Sequence, residues 1–379
     1  MPKKLFTATA SIILTLILLE LLIRTVAPQI TLSDITVHFD FRCFTKGDYY
    51  WIDLLPNRRC TLTPAAKVFP VTQVNLNRFG LRGPDITVPK PPDTKRLLFI
   101  GDSFFFGWGV EEPDTLITRT ADTLRPLIPY PIDTVNAGLP ASGPSYYYMF
   151  LKNEATQFDP DIVIVGFYLR NDVTENILHS QWTETDSQGL PLKTTSSIYY
   201  VDPVTHNLYP DPLPFKYRVP GLRNSHLFIA ITNRLIPYNR PRETFLSNQI
   251  CFYKRSCHYL DEAKAKTQQL FLAMKQITTQ RYQKLLVVFI PSLAQFISGV
   301  DFIQTGLPIA LSPQEKNYPY QQFIDFFTVN NIDYLDLRDY LSTHDPLTAY
   351  YAADPHWNPR GHQLAAEAIS QKLLEYLKD

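Results

Sequence analysis

The sequence predicts an α/β fold in which a doubly wound parallel sheet of about five strands follows an N-terminal transmembrane helix. Two observations lead to this fold class. Short apolar runs alternate with segments of helical periodicity, which is typical of a parallel sheet covered by helices on both faces. A longer apolar run stands at the N-terminus, apart from that alternation.

The N-terminal run covers residues 5–22 and follows two lysines. Its roughly 18 residues would reach about 27 Å as a helix, which is enough to cross a bilayer. The lysines favour a cytoplasmic N-terminus, so the rest of the chain would lie outside the cytoplasm. A cleaved signal peptide is the alternative, but the run is long for one and Pro28 would directly follow the weak cleavage signal. We therefore favour an uncleaved anchor over residues 1–27.

The segment after the anchor, residues 28–95, is predicted to be an extracytoplasmic lead-in that connects the membrane to the sheet. It carries Cys43 and Cys60, while Cys251 and Cys257 lie close together later in the chain. An even number of cysteines in an exported protein suggests two local disulfides, although three pairings are open. The spacings lack the Cys-x2-Cys pattern of zinc sites, so no metal site is predicted.

The main domain is predicted over residues 96–379. Its strands are LLFIG at 97–101, DTVNAG at 133–138, DIVIVGFY at 161–168, KLLVVFI at 284–290 and DYLDL at 333–337. Most of these runs are continuously apolar, as expected for strands covered on both faces. Helices are predicted at 261–283 and from about 359 to 377. In the last helix one buried face is formed by Ala365, Ile369, Leu373 and Leu377.

An insertion over residues 179–250, rich in Pro, Tyr and Asn, separates the third and fourth strands. A loop of this length is usually a lid or a binding surface, and structural filler is an equal alternative here. Charge is balanced, with 36 basic and 36 acidic residues, so the composition indicates no surface for nucleic acid.

The first candidate for chemistry is the stretch GDSFFFG at 101–107, which ends the first strand. Taken alone it predicts a tight strand-to-helix turn with Asp102 or Ser103 capping the helix. A serine at a helix N-terminus also has backbone N–H groups around it, and such donors stabilise a developing oxyanion. The cap and a catalytic Ser103 are therefore compatible.

Two further motifs follow the second and third strands. Asn171 lies just past a strand end, on the same edge as Ser103 if the sheet is parallel. It is either a turn residue or cap, or a side-chain donor to a carbonyl oxygen on which negative charge develops. In NAGLPASG at 136–143, small residues would let backbone N–H groups approach a substrate, although a plain loop explains them equally well.

The fourth motif is DPHWNPRGH at 354–362, in which Asp354 and His356 lie two residues apart. In an extended segment such residues point to the same side, so the carboxylate can bind one ring nitrogen. The other nitrogen is then free to take a proton from a serine. Asn358 and Pro359 are predicted as the cap and first residue of the last helix, and His362 as a structural residue.

Together the four motifs resemble the SGNH (GDSL-type) hydrolase superfamily, in its membrane-anchored bacterial form. GDSFFFG resembles the nucleophile block, NAGLPASG the glycine block, FYLRND the asparagine block and DPHWNPRGH the Asp–His block. The similarity spans about residues 71–377, since VNLNRFGLRGPD resembles the lead-in of anchored members. The resemblance implies a flavodoxin-like three-layer arrangement.

The resemblance also implies site roles. Ser103 would be the nucleophile and its N–H an oxyanion donor, Asn171 the side-chain donor, His356 the base and Asp354 its partner. The family's oxyanion glycine falls on Ala141, with Gly143 two residues further on. Either residue would supply the third donor, and alanine suits the role only if the loop does not require a positive φ.

Three functions follow from the resemblance. The first is a serine-dependent esterase or deacetylase on the extracytoplasmic side, acting on an acylated glycan or lipid-linked substrate. The second is an O-acyltransferase that modifies an exported or cell-wall polysaccharide, for which a membrane acyl donor would be a partner. The third is a non-catalytic, membrane-tethered glycan-binding protein, which would require the loss of a marker residue. None of these requires a cofactor, a metal or nucleic acid.

Overall fold

The computed structural model describes residues 2–29, 31, 43–63, 68–180, 183–194, 199–201, 208–210, 215–236, 253, 260–297, 311–352 and 354–378. Its strands are β1 (Phe44–Thr45), β2 (Asp53–Leu54), β3 (Arg58–Leu62), β4 (Thr72–Leu76), β5 (Lys95–Gly101), β6 (Ile132–Gly138), β7 (Ile162–Phe167), β8 (Thr183–Thr185), β9 (Pro191–Thr194), β10 (Tyr199–Val201), β11 (Leu208–Pro210), β12 (Lys284–Phe289), β13 (Asp333–Asp336), β14 (Tyr350–Tyr351) and β15 (Asp354–Trp357). Its α-helices are α1 (Pro2–Val26), α2 (Ser103–Phe106), α3 (Leu116–Leu124), α4 (Pro144–Asn153), α5 (Leu169–Ser180), α6 (Phe215–Arg218), α7 (His226–Leu235), α8 (Asp261–Gln280), α9 (Pro313–Val329), α10 (Leu337–Ser342) and α11 (Pro359–Leu377).

The central sheet has five strands in the order β6-β5-β7-β12-β13. All four neighbouring pairs are parallel, which confirms the predicted fold class. The first strand of the sheet lies between the second and the third, which is the flavodoxin-like order. In such sheets ligands bind beyond the carboxyl ends of the strands, where the chain reverses its direction of winding. Here that point lies between β5 and β7.

The sheet is covered on both faces, which explains its continuous apolar strands. Side chains alternate along β5, so Leu98 and Ile100 enter one core cluster while Leu97 and Phe99 enter the other. Helices α4, α8 and α9 contribute to the first cluster, and α3, α10 and α11 to the second. The buried face predicted for the last helix is confirmed, because Ala365, Ile369, Leu373 and Leu377 are all buried.

The lead-in segment folds into two antiparallel hairpins, β1–β2 and β3–β4. The predicted disulfide between Cys43 and Cys60 is present, with the two Cα atoms 6.0 Å apart. Residues of these hairpins belong to the first core cluster, together with residues of the sheet. Cys251 and Cys257 lie outside the described residues, and the division into segments at 27 and 95 stays a prediction.

Helix α1 contains one stretch, Lys4–Val26, that is long and apolar enough to cross a membrane. A signal sequence has the same length and composition. In the described parts of the insertion the chain forms two hairpins, β8–β9 and β10–β11, followed by helices α6 and α7.

Candidate active site

The strand-to-helix turn after β5 holds Ser103 as the first residue of α2. Asp102 is the N-cap, as the sequence predicts, and its Oδ1 accepts a hydrogen bond from the Phe104 N–H at 2.9 Å. The turn packs very closely against the sheet: a Cβ on Gly101 would lie 2.8 Å from Cβ of Phe105. A Cβ on Gly166 in β7 would lie 2.6 Å from ring atoms of Phe105. Glycine at these two positions therefore lets α2 lie directly on the strand ends.

The loop after α2 is held by a residue to which the sequence assigns no role, Arg82. This guanidinium is buried and donates to the carbonyl oxygens of Phe106 at 3.0 Å, Gly107 at 2.5 Å and Val110 at 2.6 Å. Its Nε also pairs with Glu112 Oε2 at 3.1 Å. The only sequence signal is the position of Arg82 within VNLNRFGLRGPD. Because it binds so many backbone carbonyls, Arg82 keeps the turn behind Ser103 in one conformation.

Ser103, His356 and Asp354 form one hydrogen-bonded chain. Ser103 Oγ lies 2.8 Å from His356 Nε2, although the two residues are 253 positions apart. His356 Nδ1 lies 2.6 Å from Asp354 Oδ1, and the same oxygen accepts from the His356 backbone N–H at 2.9 Å. The structure thus brings together the three residues that the sequence predicts as nucleophile, base and orienting carboxylate.

The ionisation of Asp354 determines which ring nitrogen of His356 carries the proton. Burial alone would raise the pKa of Asp354, but the hydrogen bonds and charge of His356 outweigh burial and hold that pKa below its ordinary value. Asp354 is therefore ionised near neutral pH and can only accept a hydrogen bond. The proton of a neutral His356 must then be on Nδ1, which leaves the Nε2 lone pair facing the Ser103 hydroxyl.

Aromatic rings hold the imidazole in place. The ring centroid of His356 lies 5.1 Å from that of Phe104 and 6.0 Å from that of Trp108. Phe104 also makes an edge contact with Trp357, at 4.9 Å between centroids. Phe104 and Trp108 come from the GDSFFFGWG stretch, so the segment that carries the serine also fixes the histidine.

Asn171 lies in the first turn of α5, directly after β7, and its side chain hydrogen-bonds Asp102. Asp102 is fully buried, and this desolvation raises its pKa to about 6. The Phe104 N–H, the charge of His356 and the Asn171 side chain act in the opposite direction. The predicted donor is therefore held at the edge of the sheet next to the residue that precedes Ser103.

The loop after β6 is hydrogen-bonded to the carboxyl end of β5. The Leu139 N–H donates to the Gly101 carbonyl at 2.9 Å, and Ser142 Oγ donates to the Leu139 carbonyl at 2.6 Å. Ala141 has a φ of 57°. The position does adopt the left-handed conformation that favours glycine, so alanine is strained there. Gly143 is the N-cap of α4 in an extended conformation, with φ −154°.

His362 is structural, as the sequence predicts. It is fully buried, and desolvation, followed by the charges of Arg82, His356 and Arg119, lowers its pKa to about 3. Its neutral Nδ1 accepts a hydrogen bond from the Leu116 N–H at 3.3 Å. This bond fixes the start of α3 to the start of α11.

Comparison with solved structures finds similar chains at low sequence identity. The chain is similar to a lipolytic protein of the G-D-S-L family from Desulfitobacterium hafniense, with 14% identity and a TM-score of 0.37 over 73% of this chain and 98% of that chain. An acetyl xylan esterase shows 14% identity and a TM-score of 0.39 over 73% of this chain and 99% of that one. A two-domain esterase active on acetylated mannans shows 12% identity and a TM-score of 0.39, over 76% and 50% of the two chains.

A comparison with curated protein sequences finds no match to this chain. Residues 253–378 match the family described as the SGNH hydrolase-like domain of the acetyltransferase AlgX. The match covers 126 of the 379 residues. That segment includes Asp354 and His356, while Ser103 and Asn171 precede it. The motifs and the parallel sheet agree with this match, and over that segment the chain is similar to an SGNH hydrolase-like domain.

Proposed function

We propose that the protein is a serine-dependent acyl-ester hydrolase, an esterase or deacetylase, in which Ser103 is the nucleophile. The observation that supports this most directly is the continuous hydrogen-bonded chain from Ser103 Oγ through His356 to Asp354. A serine hydroxyl becomes a strong nucleophile only when a base removes its proton during attack. His356 Nε2 is at hydrogen-bonding distance for that transfer.

In the first half of the reaction, His356 takes the Ser103 proton while Oγ attacks the carbonyl carbon of an ester. The imidazolium that forms is stabilised by the Asp354 carboxylate on Nδ1. As the tetrahedral intermediate collapses, His356 Nε2 gives the proton to the leaving alcohol oxygen. The products are the free alcohol and an acyl ester on Ser103.

The negative charge of the intermediate needs donors on the opposite side of the carbonyl. We assign this role to the Ser103 N–H, the Asn171 carboxamide and the N–H of Gly143, since Ala141 has the positive φ that disfavours alanine as the third donor. The support is their placement: α2, α5 and the loop after β6 all begin at the carboxyl ends of the neighbouring strands β5, β7 and β6. Fixed donors of this kind typically contribute about 3 kcal/mol each to transition-state stabilisation.

In the second half of the reaction, His356 Nε2 takes a proton from a water molecule while the water oxygen attacks the acyl carbon. As this intermediate collapses, the bond between the acyl carbon and Ser103 Oγ breaks, His356 returns the proton to Oγ, and a carboxylic acid is released. We propose an acylated glycan or a lipid-linked ester as the substrate class, in keeping with the predicted extracytoplasmic position of the domain.

A second candidate function is O-acyl transfer to an exported or cell-wall polysaccharide. The match of residues 253–378 to the domain of an acetyltransferase favours it. A sugar hydroxyl would then replace water in the second half of the reaction, and an acyl donor at the membrane would load Ser103. The two functions share every catalytic step before the acyl-serine ester is broken.

The location that we propose is a single-pass membrane protein with an extracytoplasmic catalytic domain. The apolar stretch Lys4–Val26 and the disulfide between Cys43 and Cys60 support it. Disulfides persist in oxidising compartments outside the cytoplasm. The insertion over 179–250 would shape the substrate site in this arrangement.

The test uses the full chain in detergent with an aryl acetate, with and without an oligosaccharide acceptor. We expect wild type to release acetate and Ser103→Ala to lose several orders of magnitude in rate, as residues of such a unit do. A fluorophosphonate should label Ser103 covalently, and mass mapping locates the adduct. Equal turnover by wild type and Ser103→Ala would refute the mechanism.

Ser342→Ala is the matched control, because Ser342 lies on α10 and its Oγ donates a hydrogen bond to the Arg338 carbonyl oxygen of the same helix. It should react and label like wild type. Acetate on the sugar in preference to free acetate would select the transferase, and free acetate at all acceptor concentrations would select the esterase.

A further inference from the structure

Glu20 is a charged residue inside the apolar helix α1, and the structure gives it partners in the distant insertion. Its carboxylate accepts from Ser225 Oγ at 2.8 Å, from the His226 N–H at 3.0 Å and from the Leu227 N–H at 2.8 Å. A carboxylate in a membrane helix is costly unless it is hydrogen-bonded. These bonds therefore explain how α1 tolerates Glu20 near its C-terminal end.

The same bonds satisfy backbone N–H groups at the N-terminus of α7. The first N–H groups of a helix have no partner within the helix, and a negative charge there is favoured by the helix dipole. Ser225 is the N-cap and its Oγ accepts from the Phe228 N–H at 3.1 Å. Two more contacts join the elements: the Gln29 N–H donates to His226 Nδ1 at 2.8 Å, and Asn233 Nδ2 to Gln29 Oε1 at 3.2 Å. Helix α7 is thus hydrogen-bonded to the C-terminal end of α1 and to the residues that follow it.

The segment 215–236, which contains α6 and α7, has exposed apolar side chains. We call these residues the apolar patch; they are Phe215 (52% exposed), Leu222 (43%), Ile231 (47%), Leu235 (75%) and Ile236 (51%). Ile231 and Leu235 are one turn apart and share a helix face. Ile229 and Thr232 of the same helix are buried. The apolar side chains of α1, to which α7 is hydrogen-bonded, are exposed as well.

The charge of this segment differs from that of the whole chain. Residues 215–236 contain Lys216, Arg218, Arg223 and Arg234 and no acidic residue, while the full sequence has 36 residues of each sign. An amphipathic helix with apolar and basic residues, and without acidic ones, is typical of segments that lie in the interface of an anionic membrane.

We propose that α6 and α7 form a membrane-surface platform, in which the apolar patch enters the lipid interface and the basic residues contact anionic headgroups. This rests on the membrane attachment proposed above. A bilayer fits better than a second protein, because α7 is hydrogen-bonded to the C-terminal end of α1, whose own apolar side chains would be in lipid. The platform would fix the catalytic domain close to the membrane surface, where a lipid-linked ester or a nascent polymer is reached.

The experiment measures lipid contact at three positions of the full chain in nanodiscs. A fluorophore is attached through a non-canonical residue at Leu14 in α1, at Leu235 in the apolar patch, or at Tyr282, which is 98% exposed. Lipids that carry a nitroxide on the acyl chain quench a fluorophore in contact with them. We expect strong quenching at 14 and 235 and none at 282. Quenching at 14 without quenching at 235 would overturn the platform alone, whereas no quenching at 14 would overturn the anchor itself.

Two further comparisons test the parts of the proposal. Quenching at 235 should be stronger with anionic than with neutral lipid, and equal quenching would remove the role of the basic residues. Glu20→Ala should reduce quenching at 235 and leave quenching at 14 unchanged, because α7 loses its attachment. Thr25→Ala, on the same helix, is the matched control and should change neither. Unchanged quenching at 235 in Glu20→Ala would show that Glu20 does not hold the platform.

Discussion

Replacing Asp102 by asparagine should stabilise the protein at neutral and higher pH, where the carboxyl is ionised, but not in acid. The carboxyl is fully buried, and desolvation raises its pKa from 3.8 to about 6. At about 1.4 kcal/mol for each pKa unit, ionising Asp102 in the folded protein costs on the order of 3 kcal/mol. Asparagine keeps the oxygen that accepts from the Phe104 N–H and carries no charge.

The sign of the pH dependence follows from the two protonation states. Below pH of about 4 the carboxyl is protonated in both the folded and the unfolded chain, so the two proteins should be almost equally stable. Between pH of about 4 and 6 the folded state binds more protons than the unfolded state, so wild type loses stability relative to the variant as the pH rises. Above about pH 6 the difference should be constant, and about 3 kcal/mol more favourable to Asp102→Asn than it is below pH of about 4.

The assay is denaturant unfolding of wild type and Asp102→Asn from pH 3.5 to 8, followed by tryptophan fluorescence. Other titrating groups are common to both proteins, so the difference in free energy of unfolding isolates Asp102. Asp122→Asn is the control for replacing an exposed carboxylate: Asp122 is 58% exposed, and the variant should change the free energy of unfolding by less than about 0.5 kcal/mol. A difference for Asp102→Asn that does not change with pH would refute the reasoning.

The remaining predictions concern the two loops around Ser103. Arg82→Lys should lower the free energy of unfolding by about 3 kcal/mol, since one ammonium cannot replace a guanidinium that binds several buried oxygens. The control, Arg125→Lys on the surface, should change the free energy of unfolding by less than about 0.5 kcal/mol. Equal effects of the two substitutions in urea unfolding would contradict the role given to Arg82. Ala141→Val should cost about 1–3 kcal/mol and reduce esterase activity, because a β-branched residue is poorly tolerated at positive φ. Ala141→Gly should retain both, and a valine variant as stable and active as the glycine variant would show that the loop does not need this conformation.

Elements whose signals are local can be predicted from the amino-acid sequence alone. The strands β5, β7 and β12 are continuous apolar runs because they are covered on both faces, and that pattern can be read without any tertiary contact. The last helix begins at Pro359 as predicted, since its capping residue Asn358 bonds the first turn of the same helix. The pair Asp354 and His356 is equally local, because an extended segment brings residues two apart to one side.

Features that depend on long-range packing could not be predicted from the sequence and are seen in the folded protein. The contact of Ser103 with His356 requires two strand ends and the start of α11 to converge, and the capping of α7 by Glu20 joins segments more than 200 residues apart. The positive φ of Ala141 and the burial of Arg82 under the α2 loop have the same origin. A side chain's partners in a folded core are set by the relative positions of whole elements, and no local pattern in the sequence encodes those positions.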